Sequence, residues 1–252
     1  MFGRLAVPPT SSGSTLQVLY RSEDSYASYS AENPRALRRL RQLIREERGS
    51  FGRRLIDLCC GGGALARAYA GPGRTYLGVD ANPDMIRQAR LSARKLGIPA
   101  TFRLSDIRRV KLHGRYDTIT LLGNALPHLA SRDLLSAVRN LEGHVAKDAR
   151  LIIDYRDTVQ QFFDGQGHGS FTQRRDGHRW VSTTQGVDLR AGVIRVEIRR
   201  DGRRNFASHG QAIWSPFILE PLLLTQGWTL VRRKPDRRWH GWRDTYRFNG
   251  SR

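Results

Sequence analysis

Short apolar runs, each closed by a polar residue, recur through the middle of the chain. They are Leu55-Ile56-Asp57-Leu58, Leu77-Gly78-Val79-Asp80, Phe102-Arg103-Leu104-Ser105-Asp106 and Thr118-Ile119-Thr120-Leu121-Leu122-Gly123-Asn124. Runs of this length read as strands, here over 54–58, 75–79, 101–104 and 118–122, with a fifth over Leu151-Ile152-Ile153. Between them the apolar positions change to helical spacing. One helix is expected over 64–70 and a second from Pro83, carrying Met85, Ile86 and Ala89 towards a stop at Gly97. A third starts at Ser131, with Leu134, Leu135, Val138 and Leu141 on one side. Upstream, Asn33 can cap a helix that has Pro34 at its first position. Its stripe is Leu37, Leu40, Leu43 and Ile44, ringed by arginines and stopped at Gly49. This leader helix is expected to lie on the sheet and cover a ligand pocket. Strands alternating with helices predict a parallel sheet covered on both faces, with ligands at the strands' C-terminal ends.

After Asp157 the pattern changes. A Gly-rich loop at 165–169 precedes Trp180–Thr184, Val193–Ile198 and Phe206–Trp214, which read as strands. Gly192 and Asp201-Gly202 mark the hairpin turns. Arg195, Glu197 and Arg199 alternate with Ile194, Val196 and Ile198, as in a sheet with one wet face. Residues 158–213 are expected to form an inserted antiparallel β lid. A helix over 216–226, stopped by Gly227, and strands over 228–233 and 246–248 then return to the core, with Trp239, His240 and Trp242 in their connecting turn.

The chemistry centres on Asp57-Leu58-Cys59-Cys60-Gly61-Gly62-Gly63, between the first strand and its helix. Glycines there let the backbone turn sharply and approach a ligand that a Cβ would block. Gly61-x-Gly63-x-x-Ala66 also fits the loose dinucleotide fingerprint, which alone carries little. Asp57 at the strand end, and the acids closing the next two runs, argue against a nicotinamide cofactor. The four run-then-polar units over 55–155 resemble the class I S-adenosylmethionine (SAM) methyltransferases. The resemblance implies an α/β, Rossmann-like, seven-stranded, mostly parallel sheet with helices on both faces and the β lid inserted. The expected divisions are 1–50, a leader and covering helix; 51–157, the SAM-binding core; 158–213, the lid; and 214–252, the closing helix and strands. It also implies that the loop of Asp57, Gly61 and Gly63 holds the methionine part of SAM and that Asp80 takes both ribose hydroxyls. Asp106 would take the adenine amino group, with Ile107 against the ring. Cys59, Ala81, Met85, Leu122 and Asn124 complete the expected cofactor set.

For the acceptor, Leu122-Gly123-Asn124-Ala125-Leu126-Pro127-His128-Leu129 and Ile153-Asp154-Tyr155-Arg156-Asp157 resemble the glycine and sarcosine N-methyltransferases. Carried over, Asn124 and Arg156 hold a substrate carboxylate, for which a planar guanidinium is suited. His128 reads as a helix-start packing residue or as a base. Tyr29, in a leading cluster with Tyr20 and Tyr26, and His209 on the last lid strand are further substrate candidates. Two departures stand out: Tyr155 replaces the family's His and Asp157 its Asn. An extra acid beside the clamp would weaken carboxylate binding or favour a cationic acceptor. Arg156 paired with Asp154 or Asp157 is the structural alternative. The Asn/Asp-Pro-Pro-aromatic motif of nucleic-acid base methylation is absent, because Ala125-Leu126 follows Asn124.

Composition adds one tension. The net charge is +20, and 39 of the 43 basic residues are arginine. Such a surface attracts polyanions, although arginine is spread through every segment rather than gathered in a tail. No apolar run reaches a membrane span, and the two adjacent cysteines predict neither a disulfide framework nor a metal cage. The expected protein is cytoplasmic, a monomer or a dimer, and transfers a methyl group to the amine of an amino-acid-like small molecule. Methylation of RNA or DNA is the first alternative, and a SAM-binding subunit without catalysis the second.

Overall fold

The computed structural model describes residues 30–165, 170–175, 178–201, 203–236 and 241–250. Tyr20, Tyr26, Tyr29, Trp239 and His240 lie outside the described residues. Helix α1 (Pro34–Glu46) begins as its sequence predicts, with Asn33 Oδ1 accepting from the N–H groups of Arg35 and Ala36. The alternation then runs β1 (Arg54–Leu58), α2 (Ala64–Tyr69), β2 (Thr75–Asp80), α3 (Pro83–Lys95), β3 (Thr101–Leu104), β4 (Tyr116–Leu121), α4 (Ser131–Leu141) and β5 (Val145–Arg156). A short helix, α5 (Thr158–Phe163), leads to the strands β6 (Ser170–Arg175), β7 (His178–Asp188), β8 (Val193–Arg200) and β9 (Arg203–Ala212). Helix α6 (Pro216–Leu224) precedes β10 (Trp228–Asp236) and β11 (Gly241–Phe248).

Seven strands form the main sheet in the order β10-β11-β5-β4-β1-β2-β3. β11 alone runs against its neighbours. The order reverses at β1, which has β2 on one side and β4 on the other, and a cleft opens at such a switch point. Alternating side chains feed two apolar clusters, one on each face. Ile56, Leu58, Ile119 and Leu121 join Trp214, Leu219 and Leu223, whereas Leu55 joins Tyr69, Tyr76, Ala89 and Phe102. Each fully buried Leu or Ile contributes about 1.5–3 kcal/mol.

The lid strands form a separate antiparallel sheet, β6-β7-β8-β9. Its chain leaves and re-enters the core at one point. Thr158 N–H donates to the Trp214 carbonyl (2.9 Å), and Trp214 N–H donates to Thr158 Oγ1 (2.8 Å).

Several sequence expectations need correction. β5 covers 12 residues rather than three, because Lys147-Asp148 interrupts its apolar pattern without ending its pairing. Trp242 lies inside β11, opposite Tyr155, and not in a turn. α5 and β6 carry no periodic signal and were not expected. α1 packs Ala36 and Leu40 against Leu65, Ala66 and Tyr69. It is the segment just before it that lies over the glycine turn, with Ser30 bridged to Gly63 and Ala31 N–H donating to the Gly62 carbonyl.

Candidate active site

β1 ends at Leu58 and the chain turns through Cys59 (φ 57°), Gly61 (φ 53°) and Gly63 (φ 79°), all in the left-handed region. At Gly63 a Cβ would also lie 2.9 Å from Phe102 Cζ, so glycine is needed for conformation and for space. Cys59 adopts the same conformation at a strain cost of about 1–2 kcal/mol. Burial pushes both thiols well above their usual range, which leaves them protonated packing groups.

Asp57 lies beneath this turn rather than on its lining, at 4% exposure. Its oxygens accept from Tyr76 Oη and Thr120 Oγ1, each at 2.6 Å, on the two flanking strands. Burial pushes its carboxyl up to about 7. Asp80 holds the turn from the side: Oδ2 accepts from Gly61 N–H and Oδ1 from Asn82 N–H, both at 2.9 Å. It stays partly exposed at the rim, and burial of its surroundings raises its pKa. Asp106, at the end of β3, is engaged by Arg108 through both oxygens, and Arg108 reaches Asp133 at the start of α4 (2.8 Å). The Arg108 guanidinium therefore holds Asp106 below the usual carboxylate range. Ile107 and Met85 are buried, Leu122 is half-buried and Ala81 is exposed.

Across the cleft, Asn124 stands at φ 61° just after β4. Its N–H donates to Asp154 Oδ1 (2.7 Å), and its Oδ1 accepts from Arg156 N–H (3.0 Å), stitching the ends of β4 and β5 together. This contact is to the Arg156 backbone, and it leaves the Asn124 amide with Nδ2 as a donor. Asp157 is not a free acid beside this pair. Its Oδ1 accepts from Gln160 N–H as the cap of α5, and its Oδ2 from Trp242 Nε1, each at 3.0 Å. Tyr155 points to the other face, where its hydroxyl and that of Tyr246 donate to buried Asp244, each at 2.9 Å. His128 lies in a 3-10 turn, Leu126–His128, half-buried. Trp214 Nε1 donates to the carbonyls of Leu126 (2.8 Å) and Leu129 (3.1 Å), fastening the lid's root to that turn. Tyr29 and the His209 side chain lie outside the described residues; the backbone of His209 pairs with Val196.

Sequence reasoning missed Tyr76, Thr120, Arg108 and Trp214. Only the acids themselves signalled that donors were needed. Cys59, Gly61, Asp80, Asp106, Leu122, Asn124 and Arg156 are all half-exposed and stand at or just past the C-terminal ends of β1, β2, β3, β4 and β5. A left-handed turn, a pinned rim carboxylate and apolar walls suit a nucleoside that carries a positive charge.

Residues 55–148 match the family described as methyltransferase domain. Over 104 residues the chain is 34% identical to the ubiquinone biosynthesis O-methyltransferase of Vibrio parahaemolyticus, covering 40% of this chain and 43% of that one. The chain spans about half the length of the curated relatives it matches. A SAM-dependent methyltransferase from Clostridium acetobutylicum superposes with a TM-score of 0.69 at 16% identity, over 86% of this chain and 92% of that one. The sugar N-methyltransferase KedS8 from a Streptoalloteichus species gives 0.62 at 20% identity over 98% of both chains. The fold is thus that of the SAM-dependent methyltransferases.

Proposed function

We propose that this chain is a SAM-dependent methyltransferase whose acceptor is the amine of a small molecule bearing a carboxylate, of the amino-acid kind. Asp80 holds the ribose hydroxyls in this reading, Asp106 the adenine amino group, and the Gly61–Gly63 turn the methionine end. Ile107 and Leu122 give the apolar wall. Asp57 acts from beneath by bracing the turn against β2 and β4. When bound, SAM supplies an electrophilic methyl group on a sulfonium centre. What remains for the chain is to orient the acceptor and to exclude water.

The observation that carries the acceptor class is the Asn124–Arg156 pair. Asn124 Nδ2 and a guanidinium can both donate to an oxygen-rich anion, and the guanidinium charge repels an ammonium group. Gln160 N–H and Trp242 Nε1 fix the Asp157 carboxylate as the cap of α5, which turns its oxygens away from the acceptor. An amine beside the bound carboxylate then reacts from its neutral form, and no residue has to remove a proton before the methyl group moves.

The test is calorimetric titration of SAM with and without pooled amino acids, amines and amino sugars, followed by mass spectrometry. A methylated amino acid supports the reading, and a methylated sugar would replace its acceptor class. SAM binding without a product from any pool would point to nucleic acid or to a partner role. Failure to bind SAM would overturn the cofactor assignment itself.

A further inference from the structure

The edge of the main sheet opposite the cleft carries a feature that the reaction does not use. β11, β5, β4, β1 and β2 are successive neighbours, and each brings a cation to this edge. Arg247 lies at the end of β11, Lys147 near the start of β5, Arg115 just before β4, Arg53 and Arg54 at β1, and Arg74 just before β2. All six are exposed. Register keeps them in line. Arg54 stands opposite Thr75, next to Arg74, and Arg247 stands opposite Arg150, three residues beyond Lys147. β5 slips between its pairings with Tyr116 and Thr118, and that irregularity places Lys147 and Asp148 (φ 59°) at the edge. Strands about 4.8 Å apart give a row about 19 Å long.

None of the six forms an ion pair with a carboxylate among the described residues. Arg54 lies over the Tyr116 ring at 5.9 Å and Arg74 over the Tyr69 ring at 5.0 Å, while Arg247 Nε donates to Asn249 Oδ1. The nearby Asp117 accepts from the backbone N–H groups of Arg53 and Arg54, and with Asp148 and Glu142 it is one of three countercharges to the six cations, which leaves the row net positive.

We propose that this row docks the phosphodiester backbone of nucleic acid, without reading bases. Guanidinium groups match phosphate geometry, and this chain uses arginine at almost every basic position. The large exposed apolar side chains, among them Leu104, Phe163, Leu189 and Phe217, lie outside the segments that carry the row. It therefore lacks the apolar anchors of a lipid-binding surface. The cleft faces away, so the polyanion bound here is a docking partner and not the methyl acceptor.

Fluorescence anisotropy of the full chain with a short labelled duplex DNA tests this at several salt concentrations. Binding is expected in the range of about 1–100 μM near physiological salt. Reversing Arg115, Lys147 and Arg247 together to Glu should weaken it at least tenfold and flatten the salt slope by about 3. Reversing Arg35, Arg38 and Arg41 on α1 makes the same charge change elsewhere and should cost far less. The neutral double variant Lys147→Gln/Arg247→Gln, with SAM binding and melting as folding checks, should lose about 2 of the slope. Equal losses from the two triple variants would overturn the row in favour of net charge alone. So would absence of DNA binding, or binding to phosphatidylglycerol vesicles but not to DNA.

Discussion

Asp57 is buried with two hydroxyl donors and, among the described residues, no cation partner, so its ionisation works against the fold. Its folded pKa of about 7 lies above the ordinary carboxyl value of 3.8. A raised carboxyl pKa means that its contribution is fully present below about pH 4 and is lost as pH rises through about 7. The slope across that window approaches about 1.4 kcal/mol per pH unit. Denaturant unfolding of wild type and Asp57→Asn should therefore show the variant gaining relative stability from pH 4 to 7, and a pH-independent difference would contradict the assignment. His128 supplies the second residue-scale test. If the acceptor is a neutral amine, His128→Gln should leave kcat within a few-fold, whereas a hydroxyl acceptor served by this base would lose about 100-fold or more.

At the scale of elements, the joint between lid and core rests on Thr158 and Trp214. The indole of Trp214 is fully buried and spans from the start of α6 to the turn that carries His128. Trp214→Phe keeps most of the apolar contact but takes the indole donor from the Leu129 carbonyl, while the Leu126 carbonyl keeps the Leu129 N–H, at a cost of about 1–3 kcal/mol. Thermal unfolding should record that loss. Steady-state kinetics should record a larger rise in the acceptor KM than in the SAM KM, since the acceptor side of the cleft is the side the lid's root touches. None of this showed in the sequence. A tryptophan after a strand-like run reads as the end of that strand, and only the approach of residue 214 to residue 126 gives its N–H a purpose.

At the scale of the whole molecule, β10 and β11 are tied in on both faces by buried or half-buried charge. On one face Arg233 pairs with Asp244 (2.8 Å), which also takes the hydroxyls of Tyr155 and Tyr246. On the other, Arg243 reaches Glu46 and Glu47 at the end of α1. Asp244→Asn would leave the partly exposed Arg233 with Glu220 and place an amide among donors, costing about 2–4 kcal/mol in unfolding free energy. SAM affinity should change little, because this cluster lies on the face away from the glycine turn. Equal loss of SAM binding at a temperature where the variant is folded would contradict that separation.

The sequence by itself determined the parallel core, the glycine turn and the acids at the strand ends. Those signals are local: apolar runs, caps and glycines act within a few residues of where they stand. Its account of the acceptor side was partial, naming Asn124 and Arg156 but not their hydrogen bond. Only the tertiary structure decided what Asp57, Asp106 and Asp157 do with their charge. Distant partners decide for two of them: Thr120, which meets Asp57, is 63 positions away, and Trp242, which meets Asp157, is 85. Asp106 meets Arg108 only two residues on, but Asp133 on α4 holds that guanidinium from 25 positions away. The cationic row is of the same kind. Each strand supplies one or two of its members without any local pattern, and strand order and register alone turn scattered arginines into a line.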